Sequence, residues 1–300
     1  MHKIIDSSSW KWSVSGNIGV NRNEISDLGL LPADFGCLGE RVGYYGNSLG
    51  DHFGVGHIFL AGEAPGLFYG YVTQGIVQKE DITENGIKYI KQDGSVGYYQ
   101  TVNKTTPVAG DVKYVDRNGD GVVDDNDRDI IGNPNPDFTY GFQTKVSWKS
   151  LSLSASFNGV QGRDILNVGN RYNNTPGTKS NNVTRKAFQN MWTDENPSNL
   201  YPKSTFVVQN MVMDRYVEDG SYLRCSDITL SYVLPAKWTN KIGIKNTSVY
   251  ASVKNAFVIT DYSGYDPEVN SFAFDGLRPG VDMNSYPTPR SFVFGLNLTF

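Results

Sequence analysis

Polar and apolar residues alternate with period two in six separate stretches of this chain. In the last stretch Phe292, Phe294, Leu296, Leu298 and Phe300 share one face, and Ser291, Gly295, Asn297 and Thr299 share the other with Val293. Consecutive side chains of a strand point to opposite sides, so this period reads as strand and not as helix. Trp10, Trp12, Val14, Gly16, Ile18 and Val20 oppose Lys11, Ser13, Ser15, Asn17 and Asn21 in the same way. Tyr140, Phe142, Val146 and Trp148 oppose Gln143, Lys145 and Ser147; Leu151, Leu153, Ala155 and Phe157 oppose Ser152, Ser154, Ser156 and Asn158. Ile228, Leu230, Tyr232 and Leu234 oppose Asp227, Thr229, Ser231 and Val233. Val249, Ala251, Val253, Phe257 and Ile259 oppose Tyr250, Ser252, Lys254 and Ala256. Stretches of about ten residues with one apolar and one polar face match transmembrane β-strands, whose apolar side meets lipid and whose polar side meets a wet lumen.

The connections alternate in length. Lys149-Ser150 is a two-residue hairpin link, and Leu234 reaches Val249 through Pro235, Ala236, Lys237 and a short run to Asn246 and Thr247. The links 24–137, 162–221 and 263–289 are long. Tight turns at one end and large loops at the other are how outer-membrane barrels join their strands. Trp10, Trp12 and Trp148 fall at the short-turn ends, where an interfacial girdle sits, and Tyr262 and Tyr265 at a long-loop end. The expected fold is all-β: part of an antiparallel transmembrane β-barrel, about six strands with long extracellular loops. The smallest membrane barrels have about eight strands, so these six must pair with more chain. A soluble, secreted β-sandwich is the alternative that alternation alone leaves open. One amphipathic helix is expected from Val183 to Trp192, with Val183, Ala187 and Met191 on one side and Pro197 stopping it.

Composition narrows the class. Gly supplies 32 of 300 residues, about 11% against a usual ~7%, and charged residues only 19% against a usual ~25%. With aromatics at 13%, the chain carries too much apolar matter for disorder. A net charge of -4 and no dense Lys/Arg cluster argue against a nucleic-acid partner. No apolar run approaches the roughly 18 residues of a spanning helix, and Met1 to Ser7 lacks the apolar core of a signal peptide. Cys37 and Cys225 allow one disulfide or two unpaired thiols.

The clearest candidate chemistry is an acidic loop. Asp116, Asn118 and Asp120 hold positions one, three and five of a calcium loop, and Gly121 supplies the turn at six. Val122 offers a carbonyl at seven, Asp124 stands at nine and Asp127 at twelve, a shorter carboxylate than the usual Glu. The expectation is a structural Ca²⁺ pinning a long loop, against a metal-free Asx-rich turn. Enzymatic readings are weaker. Gly46-Asn47-Ser48-Leu49-Gly50 matches a nucleophile elbow with His52 nearby, but the strand-turn-helix context it needs is missing. His52 and His57 have no metal-pair spacing. Asp266 and Glu268 would be the paired carboxylates of a glycosidase, although Pro267 between them favours a structural loop. No catalytic residue is therefore assigned. Tyr44, Tyr45, Tyr69, Tyr71, Tyr98 and Tyr99 are candidates either to stack on sugar rings or to pack the long loops.

Several motifs in register carry a family resemblance. After the acidic loop comes Ile131-Gly132-Asn133-Pro134-Asn135-Pro136-Asp137-Phe138-Thr139-Tyr140-Gly141-Phe142. Tyr222-Leu223-Arg224, Asn255-Ala256-Phe257-Val258-Ile259-Thr260, Tyr262-Ser263-Gly264-Tyr265-Asp266-Pro267-Glu268 and Tyr286-Pro287-Thr288-Pro289-Arg290 follow. Gly62-Glu63-Ala64-Pro65-Gly66 and Trp192-Thr193 with Glu195-Asn196-Pro197 fit the same series. In this order they resemble the C-terminal part of the SusC/RagA family of TonB-linked outer-membrane transporters of Bacteroidetes, from about Trp10 to Phe300. The resemblance implies a share of a 22-stranded barrel in the outer membrane, closed by a plug that lies outside this chain. It further implies energy coupling to TonB through a segment also outside the chain, a SusD-like surface lipoprotein as partner, and an oligosaccharide or peptide cargo. If the β-sandwich were correct instead, the function would be that of a glycan-binding module with a calcium-stabilised loop.

Overall fold

The computed structural model describes all residues except 1, 47, 50–53, 176–181, 205–210, 240–243, 245 and 300. Seven strands form one continuous antiparallel sheet in chain order. They are β1 (His2–Asp6), β2 (Trp10–Gly19), β3 (Phe138–Trp148), β4 (Leu151–Gln161), β5 (Tyr222–Val233), β6 (Asn246–Thr260) and β7 (Ser291–Thr299). The count expected from alternation was about six. The extra strand is β1, five residues that lie along β2 with Ile5 opposite Trp12 and Asp6 opposite Lys11. It is too short and too polar to show a period of its own; the neighbouring strand makes it β.

Because each strand reverses direction, the links 20–137, 162–221 and 261–290 leave one end of the sheet, and 7–9, 149–150 and 234–245 close the other. The pairing stacks outward residues into continuous cross-strand rows. At the short-link end Trp10, Trp148, Leu151, Tyr232, Val249 and Leu296 follow one another across six strands. The next rows are Trp12, Val146, Leu153, Leu230, Ala251 and Phe294, then Val14, Thr144, Ala155, Ile228, Val253 and Phe292. The opposite face is mostly polar: Ser15, Gln143, Ser156, Asp227, Lys254 and Ser291 form one row, and the next ends on Val293 opposite Ser252.

A bulge breaks this order once, with consequences for the loop end. Where β4 advances from Ser156 to Phe157, β5 advances from Asp227 to Cys225 and β6 from Lys254 to Phe257. Asn255 takes a positive φ of 50° to absorb the extra length. Unbroken alternation from Ile228 would put Arg224 on the apolar face. The extra residue Ser226 turns it over, so Arg224 lies opposite Asn158 on the polar face. Cys225 instead falls between Phe157 and Phe257 on the apolar face and is fully buried there. Both cysteines are free thiols.

The β-sandwich alternative required a second sheet over the apolar rows. Phe292 and Phe294 are 66% and 80% exposed, and the rows are uncovered among the described residues. The sandwich reading, and the glycan-binding module built on it, therefore fails. The sheet is an open stretch of barrel wall, with β1 and β7 at its two edges.

The buried hydrophobic core lies almost wholly in the long links. Tyr71, Ile87, Tyr89, Tyr99, Val102, Tyr114, Val123, Leu166, Val212 and Val281 pack into one cluster, and Phe35, Ile58, Leu60, Leu67 and Tyr69 into a second. Small sheets organise them: Gly43–Gly46, His57–Leu60, Leu67–Gly70 and Asp129–Gly132 make one of four strands, and Ile82–Thr83, Gly86–Ile90 and Val96–Tyr99 one of three. Burial from water thus stabilises the loops. The strands are satisfied by ladder hydrogen bonds and leave their apolar side for lipid. Among the described residues two short helices sit in the long links, α1 (Val168–Asn174) and α2 (Arg185–Asn190), and a single turn, Ala236–Thr239, in the short link after β5. Helix α2 is the expected helix, shortened at both ends; Thr184 caps it by accepting the Ala187 N–H at 3.1 Å.

Candidate functional site

The wall has two chemically opposite faces. On the apolar side Trp10 and Trp148, directly paired across β2 and β3, bring their rings to 6.0 Å at the short-link end, with Tyr232 in the same row. Trp12 shares that face and donates its Nε1–H at 3.0 Å to Thr144 Oγ1 in the row beyond its own. Trp238, on the short link after β5, adds an exposed indole at the same end. Rings with an apolar body and a polar tip suit the boundary between hydrocarbon and water. On the polar side the Asp227 carboxylate meets Lys254 Nζ at 2.6 Å and accepts from Ser252 Oγ at 2.7 Å and Thr229 Oγ1 at 2.8 Å.

At the long-link end, motifs far apart in sequence meet at Arg224. Its guanidinium pairs with Asp266, both side chains almost fully buried, and its Nε lies 3.1 Å from Glu268 Oε2. Asp266 also accepts the backbone N–H groups of Glu268 and Thr288, each at 3.0 Å. Asn158 Nδ2 donates to Glu268 Oε1 at 2.9 Å. Burial alone would raise the Asp266 pKa, but hydrogen bonds from Thr288 and Glu268 and the Arg224 charge hold it below the usual carboxylate range. Asp266 and Glu268 thus flank one guanidinium as a structural clamp. A glycosidase needs carboxyls on either side of an open substrate site, and these are tied to Arg224.

The acidic loop is closed by its own backbone. Asp116, buried, accepts the N–H groups of Gly119 and Gly121 at 2.6 and 2.9 Å. Asp127, fully buried, accepts those of Arg117, Asn118 and Asp124 at 2.7, 3.2 and 2.8 Å. Asp120 accepts from the Val122 N–H and the Asn118 amide, and Asp124 from the Asn126 N–H. Among the described residues no three His, Cys, Asp or Glu side chains gather as a metal cluster. In this arrangement the candidate ligands Asp116, Asn118, Asp120, Val122, Asp124 and Asp127 staple a turn, and an ion would have to share oxygens already serving N–H donors.

Asn47, Gly50 and His52 of the elbow reading, like Phe300 of the last strand, lie outside the described residues. Ser48 does face a histidine, but it is His57, with Oγ 3.0 Å from Nδ1. His57 is 1% exposed, its Nε2 lies 3.0 Å from the Pro279 carbonyl, and burial lowers its pKa. Sequence spacing carried no signal for this pair. A sealed imidazole with both nitrogens engaged ties two loops together. Of the loop tyrosines, Tyr69, Tyr71 and Tyr99 are core, and Tyr44, Tyr45 and Tyr98 are exposed.

No family model matches the chain. Over 99% of its length it is 29% identical to TonB-dependent receptor P26 of Formosa agariphila, spanning 28% of that protein. It is 30% identical over 99% of its length to TonB-dependent receptor SusC of Bacteroides thetaiotaomicron, spanning 25% of it. The fold superposes on the RagAB peptide importer in its open-open state with a TM-score of 0.65 and 25% identity, over 99% of this chain and 27% of that one. The chain is SusC/RagA-like throughout. It covers 25% to 29% of the length of the curated relatives it matches. The curated relatives are TonB-dependent receptors, and the structural neighbour is a peptide importer. The motifs by which the sequence resembles the SusC/RagA family include the three that converge on Arg224, so part of that signature is a structural clamp at the loop end of the wall.

Proposed function

We propose that the chain forms wall and outer loops of a TonB-dependent outer-membrane transporter that imports oligosaccharides or peptides. The observation that carries this reading is the uncovered apolar face: its cross-strand rows and tryptophan edge suit hydrocarbon, while the core that water would stabilise lies in the loops. Whole-chain similarity to TonB-dependent receptors supports it, as does the fold it shares with the RagAB peptide importer. In this reading the long links face outward beneath a SusD-like lipoprotein, the polar face lines the lumen, and TonB acts through residues outside the chain. The protein does no bond chemistry. Fractionation of Gram-negative, Bacteroidetes-like cells should place it in the outer membrane, and cargo uptake by the transporter that contains it should stop when the proton-motive force is dissipated. Recovery in the soluble fraction, or uptake indifferent to that force, overturns the reading.

For the acidic loop the proposal is a structural Ca²⁺, supported by the one-three-five-seven-nine-twelve spacing. Calorimetric titration should show one Ca²⁺ per chain, lost in Asp116→Ala. No heat on titration leaves the turn held by its N–H staples alone.

A further inference from the structure

The three short links form one rim at the end of the wall where the tryptophans lie. The Lys149 N–H donates to the Ser9 carbonyl and the Val233 N–H to the Ser150 carbonyl, each at 2.9 Å, so 7–9, 149–150 and the start of 234–245 run side by side. Charge on this rim has one sign. The three links carry Lys149, Lys237, Lys241 and Lys245 and no Asp or Glu, with Lys241 and Lys245 outside the described residues. The long links at the opposite end hold 29 Asp and Glu against 18 Lys and Arg. Among the described residues neither Lys149 nor Lys237 has an ion pair. Asp6, the acid nearest in sequence to link 7–9, is taken by Lys3 at 2.7 Å. Lys149 turns the hairpin at a positive φ of 50°, and its Nζ lies 5.2 Å from the centre of the Trp148 ring. That ring is 6.0 Å from Trp10, and Trp238 follows Lys237 in the next link; all three indoles are exposed.

We infer that this rim binds the phosphate groups of anionic phospholipids, with Lys149 over Trp148 at its centre. A row of exposed indoles marks the boundary of the hydrocarbon, and lipid phosphates lie just beyond it, level with the links. The ammonium has three N–H donors, and the indole face covers only one side of it, so donors remain for an oxyanion. Four like charges on one rim repel one another, a cost that a facing layer of anions offsets. A free oxyanion would meet only exposed lysines in water, whereas a lipid phosphate is held at the rim by its own acyl chains. The rim meets lipid only if the wall spans a membrane, as proposed above; the preference for anionic lipid comes from its lysines.

The test uses the transporter that contains this chain, reconstituted in vesicles of phosphatidylcholine and phosphatidylglycerol. One lipid or the other carries acyl chains brominated near the headgroup, which quench indole fluorescence on contact. Trp148 emission is read as the difference between the transporter and its Trp148→Phe variant. Brominated phosphatidylglycerol should quench that emission about fivefold more effectively per lipid than brominated phosphatidylcholine, the effect of one lysine at an anionic surface. The ratio should fall to about one in Lys149→Gln and be kept in Lys149→Arg. Equal quenching by the two lipids in the wild type, or a ratio unchanged in Lys149→Gln, overturns the lipid preference and leaves the membrane-wall reading standing. So does loss of the ratio when inorganic phosphate replaces chloride at matched ionic strength, which would mark a site for free anions. Quenching by neither lipid places Trp148 away from hydrocarbon and overturns the membrane-wall reading together with the preference.

Discussion

Neighbouring residues on β4 give the most direct measure of which face meets lipid. Ala155 belongs to the apolar row with Thr144 and Ile228; Ser156, next to it, faces the polar side opposite Gln143 and Asp227. From Leu151 in the tryptophan row to Ala155 is roughly 13 Å along the strand and, at a tilt of about 40°, about 10 Å along the membrane normal. The apolar band of such barrels is about 25 Å tall, so Ala155 sits near its mid-plane. An arginine there must leave water for hydrocarbon, at ~2–4 kcal/mol. An arginine at Ser156 stays in the wet interior beside Asp227 and should shift stability by no more than about 0.5 kcal/mol. Ala155→Arg is thus expected to lower the folding equilibrium about 30- to 700-fold relative to Ser156→Arg, since 1.4 kcal/mol is about tenfold. The assay is urea titration of folding into phosphatidylcholine vesicles of the closed barrel that contains this chain, followed by tryptophan fluorescence. Equal destabilisation by the two variants, or a larger loss for Ser156→Arg, would refute the assignment of faces.

Arg224→Ala leaves Asp266 buried without its cation and should cost about 3–5 kcal/mol, seen as a lower melting temperature and new proteolytic cuts within 261–290. His57 has a folded pKa below its ordinary 6.5 because burial disfavours the imidazolium. Its contribution is therefore complete above pH 6.5 and is lost as the pH falls from there through the lowered folded value. Hydrogen-exchange protection factors around 54–60 and 275–280, corrected for the intrinsic rate at each pH, should fall on acidification in the wild type; unchanged protection through that window contradicts the tie to Pro279. In Gly159→Val the new Cβ would stand 2.3 Å from the Tyr140 ring, so the ring must leave its seat on β4. Expected is a loss of about 1–3 kcal/mol in the same vesicle titration, whereas unchanged stability would show that the ring moves freely.

Alternation, link length and the placement of tryptophan are local properties, and they sufficed for the wall. A period of two assigns each side chain to a face without reference to the rest of the chain, so the facing of Trp10, Trp148, Leu151, Tyr232, Val249 and Leu296 was legible before any pairing was known, though not the register that joins them in one row. Family motifs pointed to the same architecture. The spacing of the acidic loop likewise marked a tight Asx-rich turn, but not that its carboxylates would turn to backbone N–H donors.

Tertiary structure decided what depends on contact between distant segments. β1 becomes a strand because β2 offers it a ladder. Arg224 faces the polar side because one extra residue at Ser226 offsets β5 against β4, a defect of pairing that no single strand's pattern contains. Asp266 then reaches that guanidinium while the Thr288 N–H, 22 residues on, donates to the same carboxylate, and Ser48 meets His57. The loop core follows the same logic, since buried tyrosines and valines from three long links have no periodic signature. Facing is set by steps of two along one strand; bulges, ion pairs and loop cores are set by which strands and loops meet, and that is a property of the whole folded chain.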